Sequence, residues 1–416
     1  MTLVAIQTEG PGLLEGYRAA VGDGPIRVLE ALARRLRGRR IVMVNSTATG
    51  GGVAEILHRM VRLMNELGVP TTWEVMPADA RFHAITKTIH NTLHGAPGGL
   101  SPADQAWYLE VNRRAAETLA LDGDLIFIHD PQPAAIALHR RAPGQRWVWR
   151  CHIDLSHANP GVWEFLAPVV ARYDAAIFSH VAFVHALPVP AFLVPPSIDP
   201  ASDKNRELTE DEQDALLGPF GLPTRKPWIT QVSRFDRLKD PAGVIEAFEL
   251  VRQREAAHLV LAGGGADDDP EGAQVLGEVR ERAAGRGDVS ILLLPPDAHL
   301  VINALQRRSS VVLQKSLREG FALTVSEALW KRRAVVASAV GGIPLQVLHE
   351  RTGMLVRSIP GCAYQITRLL RSAGLRRRLG ADGREHVRRN FLHTREARDY
   401  LAVFALLIEY AERAAP

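Results

Sequence analysis

From about residue 39 onward, short runs of β-branched and aliphatic residues alternate with longer stretches whose apolar positions recur at helical spacing. That rhythm predicts repeated strand–helix units and hence parallel sheets covered by helices on both faces, an α/β chain. In the first half, Arg40–Asn45, Leu125–Ile128, Trp147–Trp149 and Ala175–Phe178 read as buried strands. The first feeds a helix on which Val53, Ile56, Leu57, Met60, Met64 and Leu67 form one apolar stripe, stopped by Gly68. The run Ala191–Val194 leads into Pro195-Pro-Ser-Ile-Asp-Pro200, whose prolines and polar sequel mark a hinge. Beyond it, Trp228–Val232, His258–Leu261, Val289–Leu293, Ser310–Leu313 and Ala334–Ala337 repeat the pattern, each followed by a helical stretch. The expected layout is two doubly wound Rossmann-like domains, 1–200 and 201–390, with 391–416 a C-terminal helix that packs back across the first domain. The C-terminal strand ends of both sheets are expected to face a central cleft, the usual ligand site of such folds.

Composition supports two cores. The chain has 416 residues, 46% of them apolar, and single cores stop growing at about 250–300 residues. The net charge of +4 comes from scattered side chains, so it points to neither nucleic acid nor a membrane surface. No apolar run reaches the roughly 18–20 residues of a membrane span, and the first residues lack the features of a secretory leader, so a cytoplasmic protein is expected. Cys151 and Cys362 have no metal-ligand or disulfide spacing and read as buried reduced thiols. Only six of the 50 basic side chains are lysines: Lys87, Lys204, Lys226, Lys239, Lys315 and Lys331. Where arginine is the default, a lysine marks a place that needs a compact point charge.

Four segments carry candidate chemistry, each at a predicted strand end. Thr49-Gly-Gly-Gly52 is either a tight strand–helix turn or an anion cradle at a helix N-terminus; its spacing is not the dinucleotide fingerprint. In Ser233-Arg-Phe-Asp-Arg-Leu-Lys-Asp-Pro241, Asp240 and Pro241 read as N-cap and first helical residue, which leaves Lys239 beside a helix N-terminus. A cation there is unfavourable unless an anion joins it, so Lys239 with Arg234 suggests a phosphate clamp, against two solvated charges as the plainer alternative. In Glu319-Gly-Phe-Ala-Leu-Thr-Val-Ser-Glu327, Thr324 and Glu327 fit a capping box, whereas Glu319 has no evident structural role and would offer its carboxylate to sugar hydroxyls. His129-Asp-Pro-Gln-Pro133 and Cys151-His-Ile-Asp154 place two His/Asp pairs at neighbouring strand ends, either core residues or a polar pocket. A serine-hydrolase elbow, a zinc-protease motif and a P-loop are all missing from the sequence.

Together these motifs resemble a known family. Asn45-Ser-Thr, Gly50-Gly-Gly-Val-Ala-Glu-Ile-Leu57, Thr86-Lys-Thr-Ile-His-Asn91, His129–Pro133, Cys151–Asp154, Pro196–Pro200, Gln231–Asp236, Leu313-Gln-Lys-Ser316, Glu319-Gly-Phe321, Glu327-Ala-Leu-Trp-Lys331 and Gly341-Gly-Ile343 are similar to motifs of the GT-B retaining glycosyltransferases of family four. Within these they point to the trehalose glycosyltransferring synthases and the related retaining trehalose phosphorylases. The resemblance implies transfer of glucose from a nucleoside diphosphate glucose, ADP- or UDP-glucose, to glucose, giving trehalose, with a phosphorylase or a catalytically quiet nucleotide-sugar-binding protein as alternatives. By that resemblance Arg234 and Lys239 bind the donor pyrophosphate and stabilise the leaving group, Glu327 holds the ribose, and Glu319, Gly320 and Phe321 hold the donor glucose. Gly51 and Gly52 lie against the donor phosphates, His152 sits beside the donor sugar, and His129, Asp130 and Asp154 line the acceptor side. It implies no bound metal and no tightly bound cofactor; a divalent cation is not required for binding, though it could stimulate. The implied partners are small-molecule sugars and nucleotide sugars, neither nucleic acid nor membrane, with a homodimer allowed. The chain departs from the pattern at Ala322, where glycine is usual, at Arg81-Phe-His83, where paired aromatics are usual, and at His94, where glutamine is common.

Overall fold

A computed structural model describes residues 12–48, 52–264 and 270–414. The chain divides into two compact units, residues 1–197 with 393–416, and residues 198–392. The N-terminal unit is built on six strands: β1 (Ile41–Asn45), β2 (Thr71–Val75), β3 (Leu125–His129), β4 (Arg146–Cys151), β5 (Ala175–Phe178) and β6 (Ala191–Leu193). They form one all-parallel sheet in the order β2-β1-β3-β4-β5-β6. The C-terminal unit repeats the plan with β7 (Trp228–Val232), β8 (His258–Gly264), β9 (Val289–Leu294), β10 (Val311–Gln314), β11 (Ala334–Ser338) and β12 (Met354–Val356), in the order β12-β11-β10-β7-β8-β9.

Burial explains the strand sequences. All five residues of β1, β3, β7 and β11 are buried, as strands covered on both faces must be, so they read as mostly apolar runs, with Thr230 and Gln231 buried polar exceptions inside β7. One face of the first sheet packs Val42, Val44, Ile126, Ile128, Trp147, Trp149 and Phe178 into a single core with the following helices. Ile229, Leu259, Leu261, Leu313 and Val336 form the corresponding core of the second unit. Cys151 and Cys362 are both buried and free. The helix His393–Ala414 belongs to the first unit, where its aromatic residues meet Phe127: Tyr400 and Phe404 lie 5.0 and 5.1 Å from that ring, edge-on.

Two strands lie outside the sequence-based reading, and both have physical reasons. In β2 the order Thr-Thr-Trp-Glu-Val mixes polar and apolar side chains, and Glu74 is buried, which no alternation rule foresees. The other, β12, has three residues and pairs only with β11. Among the described residues no helix is long and apolar enough to cross a membrane.

Candidate functional site

In each sheet the strand order reverses direction once, and loops leaving strand ends beside such a reversal are where open α/β sheets bind ligands. In the first sheet the reversal lies between β1 and β3, in the second between β7 and β10. The sequence-predicted residues end or follow β1, β3 and β4 in the first unit and β7 and β10 in the second.

In the N-terminal unit, β1 runs into the glycine turn. Gly50 and Gly51 lie outside the described residues; Gly52 opens the helix Gly52–Glu66. Asn45 accepts the indole N–H of Trp73 at 2.8 Å and donates to the carbonyl of Thr47 at 2.7 Å, while His58 Nε2 lies 3.2 Å from the carbonyl of Ala48.

His129 ends β3, and Asp130 follows with φ +67°, a left-handed conformation that aspartate tolerates better than most residues. Three bonds hold it there. Its N–H donates to Arg150 at 2.7 Å, its carbonyl accepts the Trp149 indole at 3.0 Å, and its Oδ1 accepts the His152 N–H at 2.8 Å. Burial pushes the Asp130 carboxyl up to about 6, against the His152 N–H and Arg150, which favour its anion. His129 Nδ1 and His152 Nε2 are 3.2 Å apart, with the rings nearly parallel. Burial first, then the charge of Arg150, lowers His129 to about 3 and keeps His152 well below the usual imidazole range, so both rings are neutral. One proton lies between them. His129 Nε2 is buried without a hydrogen-bond partner among the described residues, and an unmet ring acceptor costs less than an unmet N–H. The tautomer that follows has His129 Nδ1–H donating to His152 Nε2, which leaves His152 a donor at Nδ1.

Arg150, the register partner of His129, is wholly buried. It donates to Ser179 at 3.2 Å, and its Nε and Nη1 have no partner among the described residues. Asp154 is buried and tied to Ser156, accepting its N–H at 2.9 Å and its hydroxyl at 2.5 Å.

In the C-terminal unit, Arg234 and Lys239 occupy the loop after β7. Asp240 caps the helix Pro241–Arg252 by accepting the Gly243 N–H at 3.0 Å, as the Asp-Pro pair predicts. The Arg234 side chain is 68% exposed and meets Asp236 at 3.2 Å. Lys239 donates to Glu319 at 2.6 Å across the two loops, so a carboxylate occupies the place where the sequence reading expects an anion. That corrects one expectation: Glu319 does have a structural role. It is buried, pairs with Lys239 and accepts the Ser316 hydroxyl at 3.0 Å.

A second correction concerns the next helix. Thr324 and Glu327 form no capping box. Ala322, at φ +67°, is the N-cap residue of the helix Leu323–Trp330, and it supplies no side-chain hydrogen bond. The left-handed turn starts the helix at Leu323, so Thr324 sits inside the first turn and donates instead to Gln314 at 2.8 Å. The Glu327 carboxylate is thereby left without its expected partner: the residue is 3% exposed and Oε2 has no hydrogen bond among the described residues. Gly320 and Phe321 shape the loop through the backbone. Gly342 donates to the carbonyl of Gly320 at 3.2 Å and Gln346 to that of Phe321, and a Cβ at Gly342 would stand 2.6 Å from the Gly320 oxygen. The Phe321 ring packs on Phe391 at 5.5 Å.

Sequence reasoning missed the buried cation at Arg150, which sits in a strand read as an apolar Trp-Val-Trp run. For Lys315, which pairs with Asp240, a signal did exist in the scarcity of lysine.

Residues 43–185 match the family model described as the N-terminal domain of trehalose synthase, and residues 212–386 that of glycosyl transferases group 1. The chain is 42% identical to the trehalose synthase of Rubrobacter xylanophilus over 97% of this chain and 99% of that one. It is 31% identical to the trehalose phosphorylase of Pleurotus pulmonarius, covering 90% of this chain and 58% of the phosphorylase. The fold matches an alpha,alpha-trehalose-phosphate synthase (UDP-forming) from Burkholderia xenovorans in complex with glucose-6-phosphate, with a TM-score of 0.71 at 18% identity, over 89% of this chain and all of that one. The chain belongs to the trehalose synthase family, glycosyltransferases of trehalose metabolism with the GT-B fold.

Proposed function

We propose that this chain transfers glucose from a nucleoside diphosphate glucose, ADP- or UDP-glucose, to the anomeric hydroxyl of glucose, with retention, giving trehalose and the nucleoside diphosphate. The observation that carries the reading is the buried Glu327 Oε2, which has no hydrogen-bond partner among the described residues, on the helix Leu323–Trp330, whose N-cap residue supplies no side-chain bond. A buried carboxylate oxygen left unmet is costly, and two neighbouring hydroxyls of a ribose would meet it. The first-turn N–H groups of the same helix favour an anion. Arg234 and Lys239 supply the cations for a departing diphosphate, in the manner of preorganised electrostatic stabilisation.

In the proposed reaction the bond between the donor sugar C1 and the phosphate oxygen breaks as the acceptor oxygen bonds to C1 on the same face. The departing phosphate oxygen takes the acceptor's proton. Such a route needs no protein nucleophile, and the other carboxylates named here support it: Glu319 is paired with Lys239, Asp154 with Ser156, and Asp130 with the His152 N–H. His152, neutral and a donor at Nδ1, suits a sugar oxygen better than a charged group. Gly51 and Gly52 would approach the donor phosphates, and His129 and Asp130, which would line the acceptor side, would also fix His152 beside the donor sugar.

The likeness to trehalose phosphorylase favours a second reading, in which inorganic phosphate attacks where the diphosphate would leave. Incubating the protein with trehalose plus ADP, UDP, GDP or phosphate in turn separates the two. Formation of a nucleoside diphosphate glucose and free glucose is expected; glucose 1-phosphate from phosphate alone would replace the synthase reading by the phosphorylase one.

A further inference from the structure

The two loops that carry the candidate residues of the C-terminal unit leave different strands, yet four contacts besides the Lys239–Glu319 pair join them. Gln231, the fourth residue of β7 and buried, reaches both loops. Its Nε2 donates to the carbonyl of Lys239 at 2.9 Å and its Oε1 accepts the N–H of Lys315 at 3.0 Å. A side-chain amide donates to one of these backbone groups from its nitrogen and accepts from the other at its oxygen, which an apolar side chain of the same size cannot do. The backbone N–H of Leu317 donates to the carbonyl of Leu238 at 2.8 Å. Behind this stitch, Lys315 Nζ pairs with Asp240 Oδ2, while the other oxygen of Asp240 caps the helix.

Gly243 gives independent evidence that the lysine–aspartate pair is built in. It lies in the first turn of the helix Pro241–Arg252, where alanine would be favoured by about 1 kcal/mol on propensity alone. A Cβ on it would stand 2.7 Å from Lys315 Nζ and 2.8 Å from Asp240 Cγ. The space that a side chain would fill is taken by the ion pair.

We propose that Gln231 and the Lys315–Asp240 pair are positioning residues for glucosyl transfer, a brace that fixes the spacing of the two loops so that Lys239 and Glu319 stand ready for the donor. The proposal rests on the reading of Lys239 as a donor-phosphate ligand. Neither Gln231 nor Lys315 touches the donor in it; both act through Lys239 and Glu319. Two polar backbone groups are met by one side chain, so removing that side chain frees both loops at once.

The test is a double-mutant cycle on the full chain with kcat/KM for the nucleoside diphosphate glucose as readout. Gln231→Met should lower it by about tenfold to a hundredfold in the wild-type background, the scale of one or two lost buried hydrogen bonds. In a Lys239→Ala background the same change should cost under about threefold, and KM for glucose should stay within about twofold in each case. Gly243→Ala, which removes no charged group, should reproduce the loss seen in Lys315→Met. An equal loss from Gln231→Met in both backgrounds would make it merely structural and overturn the brace, as would wild-type kcat/KM in Gly243→Ala. If Gln231→Met fails to fold, Gly243→Ala decides alone. Lys239→Ala with wild-type activity would instead overturn the donor-clamp reading on which the brace depends.

Discussion

The two units use opposite electrostatic designs at the C-terminal strand ends of their similarly ordered sheets. Around the His129 and His152 rings burial suppresses charge: both imidazoles are held neutral, Asp130 is pushed toward its acid form, and the neighbouring Arg150 is wholly enclosed. In the C-terminal unit charge is kept and paired, Lys239 with Glu319 and Lys315 with Asp240, with Arg234 largely in water. Neutral donors and acceptors at fixed angles suit a sugar, whose hydroxyls carry no charge. A diphosphate needs cations, and cations that already hold carboxylates can exchange one anion for another with little rearrangement. Under the proposed function, the neutral groups of the first unit suit sugar hydroxyls and the paired cations of the second suit a departing diphosphate, and each part of that reading can be broken separately.

The largest effect is expected at the clamp. Lys239→Ala and Arg234→Ala should each lose about 2–4 kcal/mol of transition-state stabilisation, read as kcat/KM for the nucleoside diphosphate glucose. Their stabilities should diverge. Arg234 is mostly exposed, so its loss should leave the melting temperature within a degree or two of wild type, since surface changes cost about 0.5 kcal/mol or less. Lys239→Ala leaves a buried Glu319 without its cation and should melt clearly lower. Equal melting temperatures would show that the Lys239–Glu319 pair carries no stability.

Next comes pH. His129 titrates at about 3 in the fold against about 6.5 unfolded, so the unfolded chain binds the extra proton between those values. Its stabilising contribution is present above pH 6.5 and is lost as pH falls toward 3, and about 2 kcal/mol of it should be gone by pH 5. His152 acts in the same direction. Asp130, raised to about 6, acts in the opposite one: its contribution is present at low pH and is lost as pH rises through 6. The net profile from pH 8 to 5 should fall, and His129→Asn should flatten it. Denaturant melts at the two pH values would expose a slope unchanged by that substitution, which would mean that His129 is not held neutral.

How much of this was legible in the sequence depended on whether a residue's job is local. Asp240 and Pro241 cap a helix with their own backbone neighbours, and they stood out as such. The β-strand cores were legible because burial on both faces leaves an apolar run. Glu319 was misjudged because its partner, Lys239, is 80 residues away in sequence. The capping box failed for a subtler reason: Thr324 and Glu327 have the right spacing, but the left-handed Ala322 moves the helix start, and no local pattern announces a left-handed alanine. Arg150 was invisible because a lone arginine at a strand end looks like a solvated one.

A smaller effect separates ribose binding from structural use of Glu327. Glu327→Gln keeps size and one acceptor but removes the charge that strengthens a hydrogen bond from a hydroxyl. Nucleoside diphosphate affinity, measured by calorimetry, should weaken by about tenfold, which is about 1.4 kcal/mol. There is no capping box to lose, but the Glu327 charge favours the cationic form of the buried Lys331, so the melting temperature should fall modestly while the fold is kept. Unchanged affinity would take Glu327 out of the donor site.

The smallest effect lies at Ala322. Its φ of +67° and ψ of 77° put a Cβ where only glycine is unstrained. The left-handed conformation costs a non-glycine residue about 1–2 kcal/mol. Against that, glycine loses more freedom on folding, worth about 0.5–1 kcal/mol. The balance favours Ala322→Gly by under about 1 kcal/mol, a gain of a few degrees at most in a chain of this size. The substitution also bears on the contrast between the units, because the residue immediately precedes the helix whose first turn is proposed to meet the donor. A methyl group retained at a strained position would be expected to restrict that loop, so relief of the strain should raise KM for the nucleoside diphosphate glucose about twofold to threefold while leaving KM for glucose untouched. Thermal melts together with both KM values test this directly. A variant that melts lower than wild type would show that the methyl group contributes packing that outweighs its strain, and an altered KM for glucose would place Ala322 on the acceptor's side of the chemistry.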